Sequence, residues 1–291
     1  MGIIDIEPWF SKLTRKAVFI PGMWRLIERF RRRSAIQHAG GPDPWVVIED
    51  YDFNLKMRVD RSAFMGSSIY WFGYHAFNEL QVLHRLLKPS MVFADLGANQ
   101  GEFTVFAAKR LREGRVLAFE PVESLYRHLM ENVGMNGFQN IMAYDFGLSD
   151  RSGVHDIYTS DDWEVHYSLH DGLCTLFPTE QRSKFLGSVQ VKVFDEVFES
   201  SGLQRLDVMK VDVEGSELPA LKGAERTLKK HKPIVFVEVN EQTYQAAGYS
   251  TGELTAFLGS LGYSFRLIKA FGRTVPIRSG KFPPFANVMC C

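Results

Sequence analysis

The sequence predicts an α/β fold, a mostly parallel sheet with helices on both faces that is closed by a C-terminal antiparallel hairpin. Three observations predict it. From residue 91 onward, short apolar runs alternate with segments of helical spacing, the pattern of a parallel sheet wrapped by helices. The run Met91 to Asp95 ends in an acid, and a loop with Gly97 and Gly101 leads to apolar residues at Phe103, Phe106 and Ala107, giving strand, tight turn and helix. At the far end, Tyr263 to Ile268 and Ala286 to Cys291 are strand-like with no helix between them, so they are expected to pair antiparallel.

The first elements stand apart from this alternation. Pro21-Gly22 opens a helical pattern with Met23, Leu26, Ile27 and Phe30 on one face and Arg25, Glu28, Arg29, Arg32 and Arg33 on the others. Residues 1 to 38 hold eight Lys or Arg against three acids. Such a helix either packs on its own domain, the commoner fate, or meets an anionic membrane or a partner protein through residues 22 to 38. Gly40 to Pro44 reads as a linker. It separates an N-terminal extension, 1–44, from a single domain, 45–291.

Residues 45 to 60 alternate loosely and suggest a hairpin ahead of the main sheet. Asn78 to Leu87 is helical, with Lys88-Pro89 as its stop. Strands are expected at 91–95, 115–120, 141–145, 207–212 and 234–239, and helices at 100–112, 122–135, 216–229 and 251–261. Ser250 and Glu253 form a capping box, and Gly262 stands where a helix C-terminal glycine belongs. Between the third and fourth of these strands lies an insertion at about 151–193, with a polar, aromatic middle from Trp163 to Asp171. It is expected to be a long loop at the carboxyl edge of the sheet, where loops serve binding.

Composition limits the function classes. With 34 basic and 34 acidic residues the net charge is zero, so no nucleic-acid partner is expected. Three cysteines, two of them adjacent, make no disulfide framework, and a reducing, cytoplasmic setting is expected, with any membrane contact peripheral. No segment approaches the roughly 18 apolar residues of a membrane span.

The glycine loop sits where open α/β sheets bind ligands. A dinucleotide fingerprint counted from Gly97 wants glycines at 99 and 102, where this chain has Asn99 and Glu102. A phosphate-cradling Gly-Lys-Ser/Thr is missing as well. Asp95 and Glu102 suit a ligand with positive charge, and S-adenosylmethionine, with an ammonium, a sulfonium and no phosphate, fits. Glu120 ends the next strand 25 positions after Asp95 (120 − 95), placed to accept both ribose hydroxyls.

These residues resemble the FkbM-type methyltransferases. The resemblance rests on Asp95-Leu96-Gly97-Ala98-Asn99-Gln100-Gly101-Glu102-Phe103-Thr104, on Phe119-Glu120-Pro121, and on Lys210-Val211-Asp212-Val213-Glu214-Gly215-Ser216-Glu217 followed by Leu221-Lys222-Gly223-Ala224, in that order. It implies a Rossmann-like class I methyltransferase that uses S-adenosylmethionine to methylate a hydroxyl of a saccharide or small-molecule acceptor. In such a protein Asp95 serves the methionine ammonium, and Gly97, Ala98, Asn99 and Gly101 give backbone contact, with Thr104 in the same motif. Glu120 takes the ribose, followed by Pro121, while Asp145 and Phe146 are placed for adenine unless they form only a turn.

Methylating an unactivated alcohol calls for a base that removes its proton. Asp212, at the end of the fourth strand, is the first candidate, with Glu214, Glu217 and Glu238 beside it and His166 in the insertion as the other candidate base. Asp212 and Glu217 have structural alternatives, as cap and dipole partner of helix 216–229. Asp212, Glu214 and Glu217 can also hold a divalent cation through oxygen, which leaves metal dependence open. The Asn/Asp-Pro-Pro-aromatic turn associated with nitrogen methylation is absent after this strand, favouring oxygen as the acceptor. Tyr70, Trp71 and Tyr74 are either an aromatic wall for a sugar or core, and Glu79 is a further candidate. The competing function is a catalytically silent cofactor-binding or scaffold protein that docks through its N-terminal helix. Intact Asp95 and Glu120 weigh against it.

Overall fold

The computed structural model describes residues 3–17, 20, 22–39, 43–160, 174–277 and 282–291. These form two compact units, divided after Ala76, with Gly134–Asn136 joining the first. His166 and the Trp163 to Asp171 stretch lie outside the described residues, as do Gly40, Gly41 and Pro42 of the expected linker.

The first unit contains α1 (Ile3–Ala17), α2 (Met23–His38), a hairpin of β1 (Trp45–Tyr51) and β2 (Leu55–Asp60), and α3 (Phe64–Phe72). The hairpin expected at 45–60 is present and antiparallel. It makes a sheet of its own and groups with the N-terminal helices, whereas the sequence had placed residues 45–291 in one domain. Packing around α3 explains the difference. Trp71 is fully buried there, with Phe10 of α1 and Phe30 of α2 lying 6.0 and 6.1 Å from its ring. On its other side, a Cβ at Gly66 would come 2.2 Å from the Asp60 carbonyl of β2, so only glycine permits that contact. Tyr70 and Trp71 are therefore core, and the Tyr74 hydroxyl bonds Asp52 at 3.1 Å.

The second unit follows the predicted alternation. In chain order it runs α4 (Phe77–Leu86), β3 (Val92–Leu96), α5 (Glu102–Arg110), β4 (Arg115–Phe119), α6 (Glu123–Met135), β5 (Ile141–Tyr144), β6 (Gly147–Ser149), β7 (Gly153–Thr159), β8 (Lys184–Val193) and α7 (Phe194–Ser200). It continues with β9 (Val208–Val211), α8 (Glu217–Gly223), α9 (Glu225–His231), β10 (Ile234–Asn240), α10 (Glu241–Ala246), α11 (Thr251–Ser260), β11 (Phe265–Lys269), β12 (Arg273–Pro276) and β13 (Phe285–Cys290). Eight strands form the main sheet in the order β12-β11-β13-β10-β9-β3-β4-β5. The five from β10 to β5 are parallel, and β11, β12 and β13 run antiparallel to their neighbours. β3 and β9 are buried along their whole length, as central parallel strands with both faces covered must be.

Three local differences have physical causes. The helix expected at 216–229 is two helices that meet at Ala224, whose φ of −105° and ψ of 9° leave the helical values, while Gly223 before it sits against the Ser149 carbonyl, 2.1 Å from where a Cβ would lie. The flanks of the insertion are strands, not loop. β7 and β8 pair antiparallel, and β6 joins them in a separate sheet, in keeping with the period-two run Val189, Val191 and Val193. The expected C-terminal pair, β11 with β13, is present, and β12 adds an outer strand. The Ser250/Glu253 capping box is formed.

Candidate active site

The strand order reverses between β3 and β9, since β4 and β5 follow on one side and β10 on the other. At such a switch point the carboxyl ends of the strands open a crevice, and ligands bind there. Asp95, Lys210 and Asp212 all come from these two strand ends. In the parallel register Asp95 lies beside Lys210.

Asp95 is fully buried. Its Oδ2 accepts a 2.6 Å hydrogen bond from the Thr104 hydroxyl, while Oδ1 has no hydrogen bond and faces the Lys210 ammonium at 3.6 Å. Burial pushes its carboxyl above the usual range, with Lys210 and Thr104 opposing. Part of the positive charge that the sequence assigned to a ligand is thus supplied by Lys210. Oδ1 is ion-paired with Lys210 and lacks a closer hydrogen bond among the protein groups around it.

The loop after β3 is shaped by protein contacts. Gly97 (φ 78°) lies so close to β9 that a Cβ would stand 1.9 Å from the Asp212 carbonyl, and one at Gly101 (φ 92°) would stand 2.6 Å from Leu129. Packing against a carbonyl therefore requires Gly97, and the left-handed φ requires Gly101, where the sequence had suggested room for a ligand. The amides are also committed. Gly97 and Ala98 both donate to the Phe119 carbonyl, Asn99 to Glu120 Oε2, Gln100 to Asn99 Oδ1, and Gly101 to the Ala98 carbonyl. The carbonyls of Gly97, Ala98 and Gly101 each accept a protein donor as well, from Lys210, Gly101 and Val105, so the backbone contact expected from residues 97, 98, 99 and 101 finds these groups already bonded and the loop holds no nest of free amides for a phosphate.

Glu120, just past β4, is buried and takes one backbone donor on each oxygen, Asn99 at 2.8 Å and Val122 at 3.0 Å. Burial raises its pKa to about 7. Each oxygen retains a lone pair for a hydroxyl donor. Pro121 is half-buried and packs over Gly147. Asp145 is exposed at the end of β5. Phe146 is not available as a ring contact in the way expected, because it is buried among Phe119 and Tyr144, with Lys192 lying 4.1 Å over its face.

Lys210 is a residue of the candidate site that sequence reasoning had quoted but given no role. Its buried ammonium donates to the Gly97 carbonyl at 2.7 Å and lies 3.4 Å from Asp212 Oδ2, so it ties the cofactor loop to the candidate base. Burial works against its charge, but the carboxylates of Asp212 and Asp95 prevail and raise its pKa. Asp212 caps no helix. The cap position of α8 is Ser216, and the Asp212 side chain is 37% exposed toward the crevice end of β9.

The turn that follows is clamped from below. Glu217, buried, accepts from the amides of Val213 and Gly215 at 2.9 Å each and from the Tyr249 hydroxyl at 3.2 Å. It is a turn clamp, fixing Asp212 and Glu214 through their backbone. Glu214 adopts φ 50°, its carbonyl accepts from Thr175 at 2.7 Å, and its carboxylate binds Arg182 at 2.6 Å. The C-terminal flank of the insertion therefore rests on this turn, a contact across 32 residues that no spacing rule foretold.

One carboxylate oxygen each from Asp212, Glu214 and Glu238 lies within 4.8 Å of the others, so Glu238 of β10 takes the place the sequence had given Glu217. Burial, and then its acidic neighbours, push Glu238 well above the usual carboxylate range. Glu79 is raised by burial too, and it hydrogen-bonds Asn287, the register partner of Glu238 on β13.

These shifts have a sign that stability measurements can read. Glu217 is raised from 4.5 to about 8 and Glu120 from 4.5 to about 7, so between about pH 4.5 and 8 the folded chain binds more protons than the unfolded one. Stability is then greatest below that window and lost as pH rises through it. The melting temperature of the ligand-free protein is expected to fall from about pH 5 to pH 8, with a shallower slope in Glu217→Gln. A flat or rising profile would contradict this picture of the clamp.

A parallel sheet with a glycine turn between two strand-end acids, an antiparallel edge beyond β10 and a switch point beside the turn define the class I methyltransferase fold. The sequence matches the methyltransferase FkbM domain over residues 95–265, more than half its length. The chain belongs to the FkbM methyltransferase family. It is 29% identical over 205 residues to methyltransferase sdnD of Sordaria araneosa, covering 60% of this chain and 74% of that protein. To 2-O-methyltransferase NoeI of Sinorhizobium fredii it is 26% identical over 203 residues, covering 67% and 80%. To hexuronic acid methyltransferase AglP of Haloferax volcanii it is 29% identical over 196 residues, covering 66% and 72%.

Proposed function

We propose that this methyltransferase uses S-adenosylmethionine to methylate a hydroxyl of a saccharide or small-molecule acceptor. The observation that carries the cofactor is the pair of buried acids at successive strand ends, Asp95 with an unbonded oxygen and Glu120 with spare lone pairs. When bound, S-adenosylmethionine supplies a methyl group made electrophilic by its sulfonium sulfur. Asp95 and Thr104 would hold the methionine end, Glu120 the ribose, and exposed Asp145 the adenine side.

Asp212 accepts the proton that the acceptor hydroxyl loses. Lys210 holds that carboxylate beside the cofactor loop, which fixes base and methyl donor in one geometry, where much of the catalysis of such a transfer resides. Glu238 keeps its proton among its acidic neighbours and so offers the acceptor a hydrogen-bond donor. Oxygen as acceptor is supported by NoeI, a relative named as a 2-O-methyltransferase, and a sugar-derived acceptor by AglP, named for hexuronic acid. Calorimetric titration of the full chain with S-adenosylhomocysteine and with NAD tests the cofactor. Binding of the former alone is expected, weakened about tenfold or more in Glu120→Ala, the size of one lost charge-assisted hydrogen bond. Binding of neither ligand would move the weight to a silent scaffold.

The Asp212, Glu214 and Glu238 oxygens have the donor chemistry of a magnesium or manganese site. Two of the three already carry a cation, Lys210 on Asp212 and Arg182 on Glu214. Methyl transfer is therefore expected to survive EDTA. Loss of activity that added Mg2+ restores would give the cluster a metal role.

A further inference from the structure

The two N-terminal helices have a packed side and an outward side of different chemistry. On the packed side, Phe10 and Phe30 meet at 4.7 Å, Ile27 is fully buried, and Thr14 donates to the Trp71 carbonyl at 2.8 Å. Two basic residues are drawn inward as well. Arg15 binds Asp50 at 2.7 Å and the Tyr70 carbonyl at 2.6 Å, and Arg31 bonds Ser67 at 3.0 Å with its guanidinium 4.9 Å over the Phe64 ring. These account for the packing half of what the sequence left open.

The outward side is apolar and cationic together. Trp9 is 70% exposed, Trp24 61%, Ile20 55% and Leu13 47%. Lys12, Lys16, Arg25, Arg29, Arg32 and Arg33 are exposed among them. Glu28 is the single acid between residues 8 and 38, and it is held by Arg31 and Arg32. Exposed tryptophans of this kind have a cost in water unless something covers them.

We propose that the outward faces of α1 and α2 dock the protein on an anionic lipid surface. Trp9 and Trp24 enter the headgroup region, where an amphipathic ring is at home, and Lys12, Lys16, Arg25, Arg29 and Arg33 pair with lipid phosphates. Charge decides between occupants. A second copy of the chain would set the same cations against each other, and cores of protein interfaces are depleted of lysine. Among the described residues no helix is long and apolar enough to cross a membrane, so the contact is peripheral.

Flotation of the full chain with vesicles of phosphatidylcholine, with and without phosphatidylglycerol, tests the proposal. The chain is expected to float with the anionic vesicles only, and to be released by salt. The triple variant R25Q/R29Q/R33Q should bind about a hundredfold more weakly, at about fivefold per charge. W9A/W24A should also release the protein. Because all five side chains are exposed, the melting temperatures should match that of the parent, which separates lost docking from lost folding. Failure to float with anionic vesicles, or equal floating of the triple variant, would overturn the proposal. So would concentration-dependent self-association abolished by W9A/W24A without vesicle binding, which would assign the face to a second copy.

Discussion

Asp212→Asn is expected to lower kcat for methyl transfer by about a hundred- to ten-thousandfold, the range for removing a positioned general base. The substitution keeps the shape of the side chain and the turn clamped by Glu217, and Asp95 still faces the buried Lys210, so the fold and S-adenosylhomocysteine affinity should be largely kept. The loss would then lie in kcat and not in cofactor binding, as expected of a group that acts only when the hydroxyl gives up its proton. The charged groups around Asp212 make the assignment specific. Lys210 is its cation, Glu214 is committed to Arg182, Glu217 is bonded to backbone amides, and burial with its acidic neighbours pushes Glu238 well above the usual carboxylate range. If Asp212→Asn turned over at the parental rate, the base would have to be sought elsewhere and the role given to this strand end would fail.

Gly97→Ala should do more damage than any substitution of a charged residue on the cofactor loop. The new methyl would stand 1.9 Å from the Asp212 carbonyl on a backbone at φ 78°, so the loop must leave β9 or β9 must move. Positive φ alone costs an alanine about 1–2 kcal/mol, and the overlap adds to it, so a loss of about 3 kcal/mol or more is expected in denaturant unfolding. Displacing the loop also breaks the Lys210 contact with the Gly97 carbonyl, so any folded fraction should bind S-adenosylhomocysteine poorly. An alanine variant with parental stability and affinity would show that the close approach is not needed.

Much of this was legible in the chain itself. Asp95 and Glu120 could be found because each ends an apolar run before a turn, and the parallel sheet then carries both to one edge. The loop glycines were visible too, but their cause was not. Gly97 answers to the Asp212 carbonyl, 115 residues away in sequence, and only the pairing of β3 with β9 brings them together. Lys210 was hidden for the same reason, since a lysine inside a strand reads as a break in an apolar run until its neighbour is known to be Asp95. Glu217 carried the opposite hazard, since its place in a turn with Asp212 and Glu214 suggested chemistry, and its bonds to two amides show a clamp. Phe146 looked like a ring contact at a strand end and is core. The insertion misled because its polar middle dominates the composition while its flanks alternate only weakly.

Incubating the full chain with S-adenosylmethionine carrying a labelled methyl group and a panel of saccharide and small-molecule acceptors decides whether the enzyme methylates a hydroxyl, with Asp212→Asn as the control. The expected result is label on the acceptor in a linkage that survives mild base, as an ether formed on a hydroxyl does, and none with the variant. Label that mild base releases, marking an ester formed on a carboxylate, or transfer that persists in Asp212→Asn, would contradict the account.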